Sequence, residues 1–134
     1  MTEAVLDASV VLKWFVPTDE RGSAEARLIR DDYRAGQLVV TVPSLLFLEI
    51  LNVAGRRWGW EAEALLDLLT GLQDLLFGVA EPDLDAVATW VARGLTAHDA
   101  VYVALDEERG IPLVSDDQAI LETASGIARS LVPG

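Results

Sequence analysis

The 134-residue chain carries 10 Lys+Arg against 22 Asp+Glu, a formal net charge of −12, yet 51% of it is hydrophobic. That length predicts one domain over 1–134 with a proper core, and the apolar content argues against disorder. With no cysteine and one histidine, His98, disulfide scaffolds, thiolate or multi-histidine zinc sites and Cys nucleophiles are excluded, and the acidic balance counts against broad, non-specific binding to nucleic-acid phosphates.

In chain order, Met1-Thr2-Glu3 opens acidic and no small-residue cleavage site follows, so no targeting signal is expected. Ala4-Val5-Leu6 is a short apolar run ending at Asp7 and predicts a buried strand. Ser9 to Phe15 continues apolar as a short helical segment until Pro17 stops it. Glu20 to Ala35 reads as a charged, Ala-rich helix with Ala24, Leu28 and Tyr33 on its inner face, Arg27, Arg30 and Asp31 on its wet side, and Gly36 as its C-cap. Leu38 to Thr41 is β-branched and predicts a second strand, after which Pro43 and Ser44 start a helix reaching about Arg57. The most apolar stretch, Leu38 to Val53, contains Pro43, Glu49 and Asn52, a combination a membrane span would rarely carry. A soluble, cytoplasmic protein is expected.

Trp60 to Leu76 has Ala64, Leu65, Leu68, Leu69, Leu72 and Leu75 at helical spacing. Phe77 to Ala80 is a weak strand, and Pro82 opens a helix over Asp83–Arg93 that Gly94 breaks. Thr96 to Arg109 is a helix capped by Gly110, Pro112 to Ser115 a strand, Asp117 to Ser125 a last helix, and Ile127 to Val132 an edge strand. Strands alternating with helical crossovers imply an α/β fold whose parallel sheet is covered on both faces. In such sheets the functional crevice lies beyond the carboxyl ends of the strands.

Four carboxylates are singled out by position. Asp7 ends the first strand, Glu49 stands inside Leu45–Leu51, Asp99 leads the apolar run Ala100–Leu105, and Asp117 follows the strand ending at Ser115, with Asp116 beside it. Each has a plainer reading. Asp7 or Ser9 could cap the helix that follows, Asp99 could sit in a first turn, Asp116 and Asp117 could form a turn and an N-cap, and Glu49 could lie on an exposed stripe. Jointly, carboxylates converging at one sheet end would repel one another, and a divalent cation relieves that repulsion. The available ligands are oxygens, which suit Mg²⁺ or Mn²⁺ over zinc. Such an ion can activate water for phosphodiester cleavage, with Ser9 and Ser115 holding waters or orienting carboxylates.

The same residues resemble a known family, the PIN-domain ribonucleases, and in particular the VapC toxins of bacterial toxin–antitoxin pairs. Val5-Leu6-Asp7-Ala8-Ser9 is similar to its opening Asp-x-Ser motif, and Pro43-Ser44 through Glu49 to Asn52 is similar to its second. His98-Asp99-Ala100-Val101-Tyr102-Val103-Ala104-Leu105 resembles the third, and Pro112-Leu113-Val114-Ser115-Asp116-Asp117 the fourth. The resemblance implies a PIN-like three-layer α/β/α sandwich with a central, mostly parallel sheet of about five strands. It implies that Asp7, Glu49, Asp99 and Asp117 bind Mg²⁺ or Mn²⁺, with Ser9, Ser115 and Asn52 in support; Asp116 is a second candidate beside Asp117. It also implies endonucleolytic cleavage of RNA by water with a 5′-phosphate product, a homodimer, and a small VapB-type antitoxin as partner. Ser115 departs from the family's commoner Thr but keeps the hydroxyl.

Lys13, Arg56 and Arg57 lie closest in sequence to these motifs and could meet RNA phosphates, although pairing with some of the many acids is the plainer role for each. Trp14, Trp58, Trp60 and Trp90 could stack bases but read more simply as core or interface aromatics, and His98 as a packing or hydrogen-bonding residue rather than a general base. The rivals to a nuclease toxin are a housekeeping RNA-processing PIN nuclease without antitoxin and a non-catalytic PIN-like partner-binding module. A phosphoaspartate phosphatase would want an acid where Ser9 stands, a receiver domain a late lysine, and a nucleotide-binding fold a Gly-rich loop after the first strand.

Overall fold

The computed structural model describes residues 2–15 and 21–132. The elements in order are β1 (Thr2–Leu6), α1 (Ala8–Leu12), α2 (Ser23–Arg34), β2 (Leu38–Val42), α3 (Leu45–Arg56), α4 (Ala62–Asp74), β3 (Gly78–Val79), α5 (Leu84–Ala92), α6 (Ala97–Arg109), β4 (Leu113–Ser115), α7 (Gln118–Thr123) and β5 (Arg129–Ser130). The expected stop at Pro17 and the expected helix start at Glu20 lie outside the described residues.

Every strand pairing is parallel, and the sheet order is β3-β2-β1-β4-β5. The apolar run Ala4-Val5-Leu6 is buried throughout, as a central strand covered on both faces requires. Val5 and Leu6 pair with Leu113 and Val114 on one side, and Thr2 to Val5 pair with Leu38 to Thr41 on the other. The helices cover both faces of this sheet, giving a three-layer α/β/α arrangement. α6 packs on β1 and β4, and α1 packs on α3 and β4.

From β1 the chain steps outward through β2 to β3, then returns across the sheet to β4 and continues to β5. The direction of winding therefore reverses between β1 and β4. Since parallel crossovers are right-handed, the connections on the two sides of that point run over opposite faces and leave a crevice at the strands' carboxyl ends. Asp7 directly follows β1, and Asp116 directly follows β4. The fold thus brings the first and fourth sequence motifs to its switch point.

Helix ends follow local chemistry. Asp7, Thr96 and Asp117 cap α1, α6 and α7 by accepting from the backbone N–H groups of Val10, Asp99 and Ile120. α6 stops at Gly110, whose φ of 63° is costly for a residue with a side chain. The expected inner face of α2 needs correction. Tyr33 packs against the core as expected, but Ala24 and Leu28 are exposed, Leu28 at 65%, and their places are taken by the buried Ser23 and Ala26 and by Ile29. The i, i+4 pair Ala24/Leu28 competes with the Ala26/Ile29/Tyr33 stripe, and Tyr33 decides between them. It packs on Trp14 and Phe77, and its hydroxyl donates to the carbonyl of Leu75.

Candidate active site

At the centre lies Asp7, only 3% exposed. Its Oδ1 accepts from Ser9 Oγ at 2.5 Å and from the Val10 N–H at 3.4 Å, and its Oδ2 accepts from Ser115 Oγ. The two serines also order the opposite strand end: Ser9 Oγ accepts from the Asp116 N–H at 3.0 Å, and Ser115 Oγ accepts from the Asp117 N–H at 2.9 Å. A closed network therefore ties the turn after β1 to the turn after β4. Burial pushes the Asp7 carboxyl up to about 6; the bonds from Ser115, Ser9 and Val10 oppose that rise, and the charge of Asp117 adds to it.

Glu49 and Asp99 face the same region from the helices. Glu49 is half-buried on α3, and its Oε1 accepts from the Tyr102 hydroxyl at 2.5 Å. Asp99 is half-buried in the first turn of α6. Burial raises both carboxyls. Asp99 and Asp117 raise Glu49 further, and Asp117 raises Asp99, while His98 lowers both. The charge of Asp117 thus acts on each of the other three carboxylates. No group of three or more His, Asp or Glu side chains among the described residues is arranged to hold a metal ion as the side chains stand.

The capping readings are also met, whereas Glu49 does not lie on an exposed stripe. Asp7 and Asp117 are N-caps while sitting in the acidic cluster, so capping and clustering are compatible roles for the same side chain. Asn52 is exposed on α3 and lines a cavity of about 490 Å³ with Leu48, Glu49, Val53 and His98. His98 is itself exposed, so of the packing and hydrogen-bonding roles expected for it the packing one is not met.

Lys13 and Asp116 prove to be partners. Lys13 Nζ lies 3.4 Å from Asp116 Oδ2, with the two side chains only 12% and 16% exposed. Of the two adjacent acids, Asp116 is neutralised by this pair, and Asp117 is the one whose charge reaches Asp7, Glu49 and Asp99. Arg56 and Arg57 are exposed at the end of α3, and Arg56 lines a cleft with Gly55, Trp60 and Leu65. Trp14 and Trp90 are core residues; the rings of Trp58 and Trp60 lie 5.4 Å apart at a tilt of 50°, with Trp58 exposed.

The profile of the PIN domain matches residues 4–126. The chain belongs to the PIN-domain family. Comparison with curated proteins gives no match. Among solved structures this PIN domain is similar to PAE2754 from Pyrobaculum aerophilum, at 24% identity and a TM-score of 0.67 over 97% of this chain and 90% of the other. It is also similar to Mycobacterium tuberculosis VapC20, a sarcin-ricin loop cleaving toxin, at 16% identity and a TM-score of 0.69 over 93% and 96% of the two chains. A third similar structure is VapBC-1 from nontypeable Haemophilus influenzae, at 12% identity and a TM-score of 0.65 over 97% and 98%.

Two participants of this PIN domain escaped the sequence reading. Tyr102 sits in the third motif, three residues after Asp99, and that helical spacing was the available signal for a polar group on the site-facing side. Asp106 is buried, and its Oδ2 accepts from the Leu113 N–H at 2.7 Å, fixing where β4 begins. Nothing in its local sequence separates it from the neighbouring acids Glu107 and Glu108, which are exposed.

Proposed function

We propose that this protein is a Mg²⁺- or Mn²⁺-dependent endoribonuclease, the toxin of a VapBC-type pair, acting as a single-domain homodimer in the cytoplasm. The observation that carries the reading is Asp7, a carboxylate almost out of water at the sheet's switch point, oriented by Ser9 and Ser115 and within reach of the charge of Asp117, which also acts on Glu49 and Asp99. Lys13, the one lysine of the sequence, is engaged with Asp116.

The donor set fits a hard divalent ion. It consists of carboxylate oxygens, of which burial makes those of Asp7, Glu49 and Asp99 costly to ionise, and an ion bound to them reverses that cost. Asp7, Glu49, Asp99 and Asp117 would hold it, with Ser9, Ser115 and Asn52 supporting them. When bound, such an ion supplies positive charge to the scissile phosphate and increases the acidity of the attacking water.

The chain's own residues supply the orientation. Ser115 Oγ and Ser9 Oγ each hold a proton against one oxygen of Asp7, which favours its ionised form and fixes its plane. Asp117 is held by its own capping bond to Ile120, and Asp99 by the start of α6. Water adds to phosphorus, the P–O3′ bond breaks and the O3′ takes up a proton, leaving a 5′-phosphate and a 3′-hydroxyl. Arg56 and Arg57, exposed and outside the ion pairs of the described residues, are placed to meet flanking phosphates.

The toxin assignment, with a small VapB-type antitoxin as partner, is supported by the fold shared with a VapC and a VapBC structure. An acidic surface suits a basic antitoxin segment. Among the described residues, no helix is long and apolar enough to cross a membrane.

The deciding experiment incubates the purified protein with structured RNA in Mg²⁺, in Mn²⁺ and in EDTA, and maps the product ends. Cleavage confined to the metal-containing reactions, with 5′-phosphate ends and loss in Asp7→Asn and Asp99→Asn, is expected. Undiminished cleavage in EDTA, or in both variants, would overturn the reading.

A further inference from the structure

Tyr102 is 1% exposed, and its ring is fixed by the core between α6 and the sheet. A buried phenol must place its O–H on an acceptor, and backbone carbonyls commonly serve. Here the acceptor is Glu49 Oε1, a site carboxylate 53 residues away on another helix. Among the described residues, Glu49 receives no other donor. A half-exposed glutamate without such a tether would sample several rotamers on the surface of α3. Bound to Tyr102, it is held with one oxygen engaged and Oε2 left over for a ligand. Asp7 and Asp99 also act electrostatically on the phenol, so Tyr102 lies at the floor of the acidic cluster and not merely beside one of its members.

We infer that Tyr102 is a positioning residue that orients the Glu49 carboxylate for a divalent cation, acting through its hydroxyl alone. The inference rests on the metal reading above and deepens it. A purely structural tyrosine would matter through its ring; a positioning one matters through one oxygen atom. Tyr102→Phe separates the two, because it keeps the ring and removes the O–H.

The test is a calorimetric titration of Mn²⁺ into wild type, Tyr102→Phe, Glu49→Gln and the double variant, with thermal melting in EDTA as a check on folding. Partners of metal ligands typically change metal affinity by about 10–100-fold, and a weakening of that size is expected for Tyr102→Phe. In the Glu49→Gln background, the same substitution should change Mn²⁺ affinity less than about twofold, because the ligand it orients is altered. Wild-type Mn²⁺ affinity in Tyr102→Phe, or an equal loss in both backgrounds, would overturn the positioning role while leaving the metal reading intact. Absence of Mn²⁺ binding by wild type would overturn the metal reading and this inference with it. A second readout uses unaltered Tyr102: its phenol ¹³Cζ resonance should move on adding Mg²⁺ to wild type but not to Glu49→Gln. An unmoved wild-type resonance while Mg²⁺ binds would also overturn the role.

Discussion

Ser115 donates its hydroxyl proton to Asp7 Oδ2, joining residues 108 positions apart and spanning the two strand ends where the winding of the sheet reverses. Ser115 Oγ in turn accepts from the Asp117 N–H, so one buried hydroxyl fixes both the first carboxylate and the turn that presents the last. Ser115→Ala removes a donor and an acceptor at a site with no access to water. An unsatisfied buried group costs about 1–3 kcal/mol, and a loss of that order is expected in urea unfolding at pH 7. Ser115→Thr keeps the hydroxyl and should recover most of the lost RNA-cleaving activity, provided its extra methyl is accommodated. Equal activity in Ser115→Ala and wild type would count against the network's role.

A second prediction concerns pH. Asp7 ionises at about 6 in the folded protein, against an ordinary value of 3.8. Below both values the group is protonated in folded and unfolded chains alike and costs nothing. As pH rises through about 6, the unfolded chain is already ionised and the folded chain resists, so stability is lost. The full difference corresponds to about 3 kcal/mol. Glu49, Asp99 and Asp106 are raised as well and act in the same direction. In EDTA, the unfolding free energy should therefore fall between about pH 4 and pH 7. Asp7→Asn should flatten that slope while abolishing cleavage, and millimolar Mg²⁺ should restore stability at pH 7. A metal-free stability that rises over this range would contradict the assignment of Asp7 as the costly group.

Much of this architecture is written in short-range chemistry. Asp7, Thr96, Asp117 and Gly110 announce helix ends because caps are local, and Ala4-Val5-Leu6 announces a central strand because only a doubly covered strand is apolar at every position. Three of the four motif acids, Asp7, Asp99 and Asp117, could be placed at strand ends and helix starts for the same reason, whereas Glu49 stands out as a charge inside an apolar helix. What the sequence hides is pairing at a distance. Whether Ala24/Leu28 or Ala26/Tyr33 faces inward depends on Trp14 and Phe77, and the expected helix Trp60–Leu76 shortens to Ala62–Asp74 once its ends meet their neighbours. Likewise the sequence makes an acid the plainer partner of Lys13 but cannot say which until the turn after β4 brings Asp116 to it, and Tyr102 reads as core until Glu49 arrives from α3.

The Lys13–Asp116 pair yields a third prediction. Both side chains are largely buried, so removing one partner leaves the other uncompensated. Lys13→Met should destabilise the protein, and a double change with Asp116→Asn should recover part of the loss in a double-mutant cycle. Metal-free RNA affinity should hardly change in Lys13→Met. In Arg56→Ala and Arg57→Ala, by contrast, affinity should fall and the slope of log K against log salt should shrink by about 0.7 per lost phosphate contact. The reverse pattern would return Lys13 to the RNA-binding surface.

The fourth prediction follows from the net charge of −12. Such a surface repels phosphate at long range, and salt screens that repulsion over roughly 8–10 Å. RNA should therefore bind weakly in EDTA, and more strongly once divalent ions reverse the field at the Asp7 cluster. The same acidity attracts a basic partner, so expression of the protein should arrest growth, and co-expression of a small protein encoded just upstream should relieve the arrest. Formation of that complex should slow steeply as salt is raised, because charge complementarity acts mainly on encounter. Salt-insensitive association would remove the electrostatic basis for partner choice. Robust RNA cleavage without growth arrest would instead favour an RNA-processing nuclease that works without an antitoxin.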